Sequence, residues 1–322
     1  MKGVKLRKKL SAWEISQAAQ LAIILEVSAY PKPGNVSRLH PFKDTTLDHF
    51  LAGGIAIGQT MHKAAIRGIK IGEGKLKEDG AKLGYLIEEC VKASRRWHRG
   101  GNTNFGAVLL MVPLAVSAGI LSVRGLLSAS KLGKTVARLV REATVEDAIH
   151  LFRAVRVGGV GGLGRPPKGL PDVRSPKAVR ELKLGGITLY KVLKGCSSKD
   201  SLCRELVDGL PIVLKVGYQT LTETFQETGE MNKAIIQAFL SILSKVPDSL
   251  IARKTSLEEA LRVSEMASKI LELGGVHTEK GWKALLEMDE KLRTPDNRFN
   301  PGATADLTAA SLMVFLLLGG KP

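Results

Sequence analysis

The sequence predicts an all-α fold, a single globular multi-helix domain that spans residues 1–322 and is built around buried apolar helices. Capping-box patterns, in which a serine or threonine stands three positions before an acid, precede segments whose apolar residues recur at helical spacing. Strand-like alternation is scarce, and no internal repeat is evident. Hydrophobic residues make up 44% of the chain, which is enough for a sizeable core.

The capping patterns and the helical spacing place the helices in chain order. Ser11 and Glu14 open the first helix, and Thr144 and Asp147 open a later one. Glycines at 53, 54 and 58 favour close helix contacts in the second helical region. We expect helices at about 11–28, 46–69, a segment ending near 98, 105–121, 144–157, two segments within 205–245, 256–273, 279–292 and 304–318.

The segment 105–121 is apolar throughout and therefore has two interpretations. A membrane span needs about 20 apolar residues. This segment is shorter, and Gly106, Pro113 and Gly119 interrupt it. We therefore predict a fully buried core helix, with the apolar segment 304–318 as its second buried partner.

The chain is strongly basic, with 48 Lys and Arg against 31 Asp and Glu, a net charge of +17 and a pI near 9.8. Such a charge attracts nucleic acids, anionic membranes or phosphorylated small molecules. Aromatic residues make up only 5%, which weakens the case for stacking on bases. A basic nucleic-acid-binding protein remains an alternative, although no known binding motif is present.

Cysteines and the N-terminus predict the compartment. Cys90, Cys196 and Cys203 are too few and too unevenly spaced for a disulfide framework or a zinc site. The basic start of the chain does not resemble a signal peptide, because Glu14 and Glu26 lie in the helix behind it. We therefore expect a reduced, cytoplasmic protein.

A glycine-rich segment at 158–164 contains the spacing of a dinucleotide-binding loop, but its context is wrong. No strand precedes it, and Arg165-Pro166-Pro167 follows where a helix is required. Residues 165–194 then carry eight Lys and Arg against two acids, mixed with Pro and Gly. This basic segment fits either a lid or a solvated face, and its role stays open.

Four polar turns lie at the ends of apolar helices: 26–44, 101–106, 247–254 and 300–306. The first is stiffened by Pro31 and Pro33, while Gly34 and Asn35 suit a tight turn. Turns of this kind at helix ends are typical places for a site, although each one alone also fits an ordinary helix stop. Backbone N–H groups at the helix starts after 104 and 303 favour an anion.

Together the four turns resemble the triphosphoribosyl-dephospho-CoA synthase family, which makes the precursor of the prosthetic group of citrate lyase and malonate decarboxylase. In that family the turns read as an acid followed by PKPGLVD, then NTHKG, DTNLxxRGG and PGGSADL. Here they read Glu26 with PKPGNVSR, NTNFG, PDSLIARK and NPGATADL. Their order and spacing agree across nearly the whole chain, most closely with a divergent, archaeal-type branch.

The departures from the family pattern concern a few positions. Ser37 stands where the pattern has Asp, and Asn104-Phe105 replaces His-Lys. Lys254-Thr255 replaces Gly-Gly, and Ala303-Thr304 replaces Gly-Ser. These changes leave open whether the acceptor is the same.

The resemblance implies an all-helical transferase that moves the 5-triphosphoribosyl group of ATP to the 2'-hydroxyl of 3'-dephospho-CoA and releases adenine. ATP is a substrate, and Mg²⁺ and cations are needed for its intact triphosphate. Carboxylates must accept the hydroxyl proton and stabilise an oxocarbenium-like transition state. The alternative is a related ATP-dependent ribosyl or nucleotide transferase with a different acceptor.

The same resemblance implies the site residues, each of which also fits a purely structural or surface role. The catalytic candidates are Glu26, Asp44 and Asp306, and the metal ligands are Asp248 and Asp306. The substrate-binding candidates are Lys32, Pro33, Gly34, Asn35, Arg38, Asn102, Thr103, Asn104, Arg253, Lys254, Gly302 and Thr304. We expect small-molecule partners, no membrane and no nucleic acid; a homo-oligomer is compatible with the sequence, which does not fix the oligomeric state.

Overall fold

A computed structural model describes residues 9–322. The basic start of the chain lies mostly outside these residues. The described residues form one all-α domain, as predicted. Its α-helices, numbered in chain order, are α1 Ala12–Ser28, α2 Leu47–Ala56, α3 Gly58–Gly72, α4 Leu83–Trp97, α5 Phe105–Val123, α6 Ala129–Glu142, α7 Val145–Gly158, α8 Ala178–Leu184, α9 Leu189–Cys196, α10 Ser201–Asp208, α11 Tyr218–Thr228, α12 Met231–Lys245, α13 Ser249–Lys254, α14 Leu257–Glu272, α15 Glu279–Leu292 and α16 Gly302–Leu317.

Both capping boxes read from the sequence are present. The Ser11 N–H donates to Glu14 Oε2 at 2.8 Å, and the Glu14 N–H donates back to Ser11 Oγ at 3.1 Å. Thr144 and Asp147 make the same reciprocal pair at the start of α7. Each box satisfies N–H groups that a helix start would otherwise leave unpaired.

The core is built around α5 and α16, and the prediction of two buried apolar helices is confirmed. Nearly all residues of α5 are buried, as are most residues of α16. Close packing explains the glycines on the neighbouring α3, because a Cβ at Gly68 would lie 2.0 Å from the Val116 carbonyl oxygen of α5. Only glycine allows two helix backbones to approach so closely.

One helix within residues 9–322, α5, is long and apolar enough to cross a membrane by length and composition. In this structure 94% of its most apolar window is buried inside the protein. Core packing therefore accounts for its apolar sequence.

Three segments differ from expectation. The predicted helix at 46–69 is two helices, α2 and α3, which meet at Ile57. The basic segment 165–194 is neither a plain lid nor a plain solvated face, because it contains α8 and most of α9, which bury Leu182 and Leu193. Between α10 and α11 the chain forms a π-helical turn at Val213–Gly217, a feature that apolar spacing does not reveal.

The cysteines require a correction, because Cys196 and Cys203 form a disulfide in the structure. The expectation of reduced cysteines overlooked that a short turn joins α9 to α10. That turn brings the two Cα atoms to 6.0 Å, which is within the range for a disulfide. Cys90 is free and buried, and burial raises the pKa of its thiol.

Candidate active site

The helix ends converge on one cavity of about 640 Å³. Ten of the residues predicted from the sequence line it, although they come from four separate turns. They are Glu26, Asn35, Asp44, Asn102, Thr103, Asn104, Arg253, Lys254, Gly302 and Asp306. The convergence follows from helices that pack side by side and therefore bring their connecting turns to the same end of the domain.

The other site residues predicted from the sequence do not line the cavity. Lys32, Pro33 and Gly34 are buried behind it, while Arg38 is exposed and donates to Asn232 Oδ1 at 3.0 Å. Asp248 and Thr304 are buried and bind each other. The sequence pattern locates these residues near the site but does not show which way their side chains point.

Glu26 and Lys32 form a buried pair. Lys32 Nζ lies 2.6 Å from Glu26 Oε1, and the Lys32 side chain has no exposed surface. Burial raises the pKa of Glu26 and lowers the pKa of Lys32, while each partner opposes the change in the other. The pair therefore sums to zero charge whether or not the proton is shared, and Lys32 is not a free phosphate cation.

The turn that carries Gly34 and Asn35 is held by α15. The Gly34 N–H donates to Asp289 Oδ1 at 2.9 Å, and Arg293 bridges Asp289 at 2.7 Å to the Asn35 carbonyl oxygen at 3.1 Å. Gly34 has φ +68°, and a Cβ there would lie 2.8 Å from Leu292 Cβ. Glycine is therefore required at this position.

Sequence reasoning missed Asp289, which is 255 positions from Gly34. One signal was available: Leu285, Met288, Asp289 and Leu292 share one face of a helix by their spacing, and this face is buried. An acid on a buried face requires partners. The sequence does not say that those partners are in the Pro-Lys-Pro-Gly turn.

Asp306 is the fifth residue of α16, just past its first turn, and faces the first turn of α5. The Ala107 N–H donates to its carboxylate, and a Cβ at Gly106 would lie only 1.9 Å from Asp306 Oδ2. Burial, followed by the negative charge of Glu26, raises the pKa of Asp306 well above its ordinary value. The carboxyl group thus lies beside the N-terminus of α5, and its raised pKa makes its carboxylate a stronger base than an exposed aspartate.

Asp248 has a different environment, and both of its oxygens are occupied. Oδ1 accepts the N–H groups of Leu250 at 2.8 Å and Ile251 at 3.1 Å, which caps α13. Oδ2 accepts the Thr304 N–H at 2.7 Å and the Thr304 hydroxyl at 2.8 Å, which caps α16. Asp248 therefore links the N-termini of α13 and α16, and both helices contribute residues to the cavity lining.

Two cations stand at the end of α13. Arg253 pairs with Asp200, and its Nε is buried without a hydrogen-bond partner among the described residues. Lys254 Nζ donates to the Asn297 carbonyl oxygen at 3.0 Å. Burial lowers the pKa of Lys254, and the nearby acids Asp248, Asp296 and Asp44 oppose that effect.

The turn before α5 supplies polar groups to the cavity wall. Asn102 Oδ1 accepts the Phe105 N–H at 3.4 Å, and Thr103 Oγ1 lies 3.2 Å from His98 Nε2. His98 is itself tied to Ser94 at 3.0 Å, and burial followed by the charge of Arg95 lowers the pKa of its imidazole. These contacts hold the turn in place at the N-terminus of α5.

The positions that depart from the family pattern have different surroundings. Ser37 is buried outside the cavity lining, and its hydroxyl has no partner within residues 9–322. Asn104 and Phe105 do line the cavity. An effect of sequence divergence on the acceptor is therefore expected at Asn104 and Phe105 rather than at Ser37.

The cavity also has lining residues that the sequence did not single out. Arg165 and Lys199 add two cations, and Asn300 contributes a buried Oδ1 that lacks a hydrogen-bond partner in the described part of the chain. Within residues 9–322 no group of three or more His, Cys, Asp or Glu side chains is arranged to hold a metal ion. The site thus combines several acids, of which Glu26 is buried, with several cations and unpartnered polar atoms.

Comparison with known proteins shows what kind of site this is. Residues 12–322 match the model of the CitG family, described as ATP:dephospho-CoA triphosphoribosyl transferase. The chain belongs to this family. The resemblance read from the four turns is therefore confirmed, and so is the prediction of an enzyme of the transferase class.

Individual members of the CitG family are similar over most of their length. The 2-(5''-triphosphoribosyl)-3'-dephosphocoenzyme-A synthase of Klebsiella pneumoniae is 25% identical over 96% of this chain and 92% of its own. A crystal structure of an Archaeoglobus fulgidus protein assigned as a triphosphoribosyl-dephospho-CoA synthase is 27% identical, with a TM-score of 0.61. It covers 85% of this chain and 100% of its own.

Proposed function

We propose that the protein transfers the 5-triphosphoribosyl group of ATP to the 2'-hydroxyl of 3'-dephospho-CoA and releases adenine. The observation that carries the proposal is the position of Asp306, a half-buried acid in the same cavity as the cations Arg253 and Lys254. Membership of the CitG family supports the same reaction. The basic nucleic-acid-binding alternative is not favoured.

The reaction requires one bond to form and one to break. The acceptor oxygen bonds to C1' of the ATP ribose, and the bond from C1' to the adenine nitrogen breaks with its electron pair leaving on adenine. The acceptor hydroxyl loses its proton, and adenine ends with one. We assign the proton-accepting role to Asp306, because burial and the charge of Glu26 raise the pKa of its carboxyl group and so make its carboxylate a stronger base.

We assign Glu26 to stabilising the positive charge that develops on the ribose, and not to the proton transfer. Its carboxyl group lines the cavity and is close enough to Asp306 to raise the pKa of that group. Positive charge develops on the ribose as the bond to adenine breaks. Because the Glu26–Lys32 pair has no net charge, its Glu26 carboxyl group can face the positive charge on the ribose without repelling the triphosphate.

The triphosphate requires cations, and the end of α13 provides them. Arg253 presents a guanidinium whose Nε lacks a partner in the described residues, and Lys254 lies beside it. A guanidinium can bind phosphate oxygens through two parallel hydrogen bonds. Asn300 Oδ1, also unpartnered, is available to accept a hydrogen bond from a sugar hydroxyl.

Mg²⁺ fits the same end of the cavity. Asp44 and Asp296 line it, and both lie near enough to Lys254 to raise its pKa. Mg²⁺ is usually bound by one or two carboxylates together with substrate phosphates, so a three-carboxylate cage is not needed. Bound there, Mg²⁺ would neutralise phosphate charge. Asp248 is less suited, because its oxygens already accept four hydrogen bonds.

Chromatography of the nucleobase products tests the proposal. With ATP, Mg²⁺ and dephospho-CoA we expect free adenine, and Asp306→Asn should lower its release by about 10²- to 10⁴-fold, the usual range for loss of a general base. Asp208→Asn removes an exposed acid outside the cavity and should not change the rate. ADP or AMP in place of adenine would contradict the proposal. ATP binding without adenine release would indicate a different acceptor.

A further inference from the structure

One wall of the cavity is mainly apolar, unlike the charged end that carries Asp306, Arg253 and Lys254. It is formed by the end of α7, the segment 160–173 and helices α9 and α10. Most of its lining side chains are apolar. These apolar residues include Phe152, Val155, Val160, Leu163, Leu170 and Leu193.

The apolar wall is continuous with the charged end. Leu202 of α10 lies beside Gly106, since a Cβ on that glycine would be 2.7 Å from Leu202 Cδ1 and 1.9 Å from Asp306 Oδ2. On the other side a Cβ on Gly162 would be 3.8 Å from Arg253 Cβ. A single ligand can therefore extend from the acids onto this wall.

Both acids at the wall are paired within the protein, and Arg165 and Lys199 are two cations in the same lining. Asp172 pairs with Arg174 at 2.7 Å, and Asp200 pairs with Arg253. Cys196 and Cys203 contribute a disulfide in place of two thiols. Apart from those two cations the wall offers apolar surface, which suits an uncharged chain better than a phosphate.

We propose that this wall, which consists of Val160, Leu163, Leu170 and helices α9 and α10, binds the pantetheine arm of the acceptor. The inference rests on the proposed function, because that function supplies an acceptor whose nucleotide carries a long, uncharged amide arm. The reacting hydroxyl belongs to the nucleotide and is placed beside Asp306 and Glu26 by the proposed function. The pantetheine arm must therefore extend along a neighbouring surface of the cavity. The basic segment 165–194 then serves in part as the acceptor-binding wall.

Leu163 is the residue that tests the arm site with least risk to folding. It is on the segment between α7 and α8, and 37% of its surface is exposed. Leu163→Glu places a charge on the wall, where an apolar ligand would lose favourable contact and meet a carboxylate that must be desolvated. Leu184→Glu is a matched control, because Leu184 is 77% exposed on α8 and does not line the cavity.

Binding by isothermal titration calorimetry separates this inference from the proposed chemistry. The ligands are dephospho-CoA, ADP, which is the same nucleotide without the arm, and ATP. Wild type and Leu184→Glu should bind dephospho-CoA about tenfold or more tightly than ADP, a difference that a few buried methylene groups provide. Leu163→Glu should remove that advantage and leave the ADP and ATP dissociation constants unchanged.

Two outcomes overturn the arm site. Equal loss of dephospho-CoA, ADP and ATP affinity in Leu163→Glu would mean that the wall holds a nucleotide. Unchanged dephospho-CoA affinity in that variant would mean that the wall holds no part of the acceptor. Neither result depends on adenine release, so failure of the reaction and failure of the arm site are distinguishable.

Discussion

Gly106→Ala tests whether catalysis depends on where the Asp306 carboxylate lies. The added Cβ would be 1.9 Å from Asp306 Oδ2 and 2.5 Å from its Cγ, whereas real Cβ contacts essentially never fall below 3.0 Å. The carboxylate must therefore move by about 1 Å or more. Misplacement of about 1 Å can cost a catalytic step about 10²-fold in rate, and we expect a loss of kcat of that order.

The assay is adenine release at saturating ATP and dephospho-CoA, together with thermal unfolding. Alanine is a better helix former than glycine by up to about 1 kcal/mol, so helix propensity does not destabilise the variant. Ser117→Ala is the control on the same helix, since it removes a buried hydroxyl that has no partner within residues 9–322. It should leave both the rate and the Tm near those of wild type.

An unchanged kcat in a folded Gly106→Ala enzyme would refute the reasoning, because the Asp306 carboxylate would have moved without consequence. A lower Tm with a normal rate per folded molecule would assign Gly106 to packing alone. A normal Tm with a loss of about 10²-fold in kcat is the expected result.

Three further predictions concern groups around the site. Asp248→Asn should lower the free energy of unfolding by about 2 kcal/mol in urea titrations, because Thr304 loses charged acceptors, and leave the Mg²⁺ half-saturation of activity unchanged. Asp289→Asn weakens the bonds to Gly34 and Arg293, so it should raise the KM for ATP and lower the Tm; an unchanged KM would exclude this positioning role. Burial raises the pKa of Glu205 from 4.5 to about 7, so wild-type unfolding free energy should fall between about pH 4.5 and 7 relative to Glu205→Gln, and parallel profiles would contradict this.

Local signals were sufficient for much of the fold. The capping boxes at Ser11 and Thr144 fix helix starts because a side chain and a backbone group three residues away satisfy each other. The apolar helices α5 and α16 were recognisable because residues that are apolar on all sides require burial. The π-helical turn at Val213–Gly217 was not recognisable, because it depends on tertiary contacts such as Ser311 Oγ donating to the Val213 carbonyl oxygen at 3.1 Å.

The site was predictable as a set of turns but not as a set of side-chain directions. Glu26, Arg253 and Asp306, from three different turns, line the same cavity. The sequence pattern makes Lys32 a substrate-binding candidate, since nothing local shows that its ammonium turns towards Glu26 six positions earlier. The Asp289 contact and the Cys196–Cys203 disulfide follow from how helices and turns pack, which a sequence pattern does not encode.

A double-label experiment tests the central claim most directly. ATP carrying one label on the γ-phosphate and another on adenine is incubated with Mg²⁺, dephospho-CoA and the enzyme, and the products are separated by chromatography. The account predicts that the γ-phosphate label moves to the dephospho-CoA product while the adenine label is released as free base, in equal amounts. A γ-phosphate label found in inorganic phosphate, with the adenine label in ADP, would contradict it.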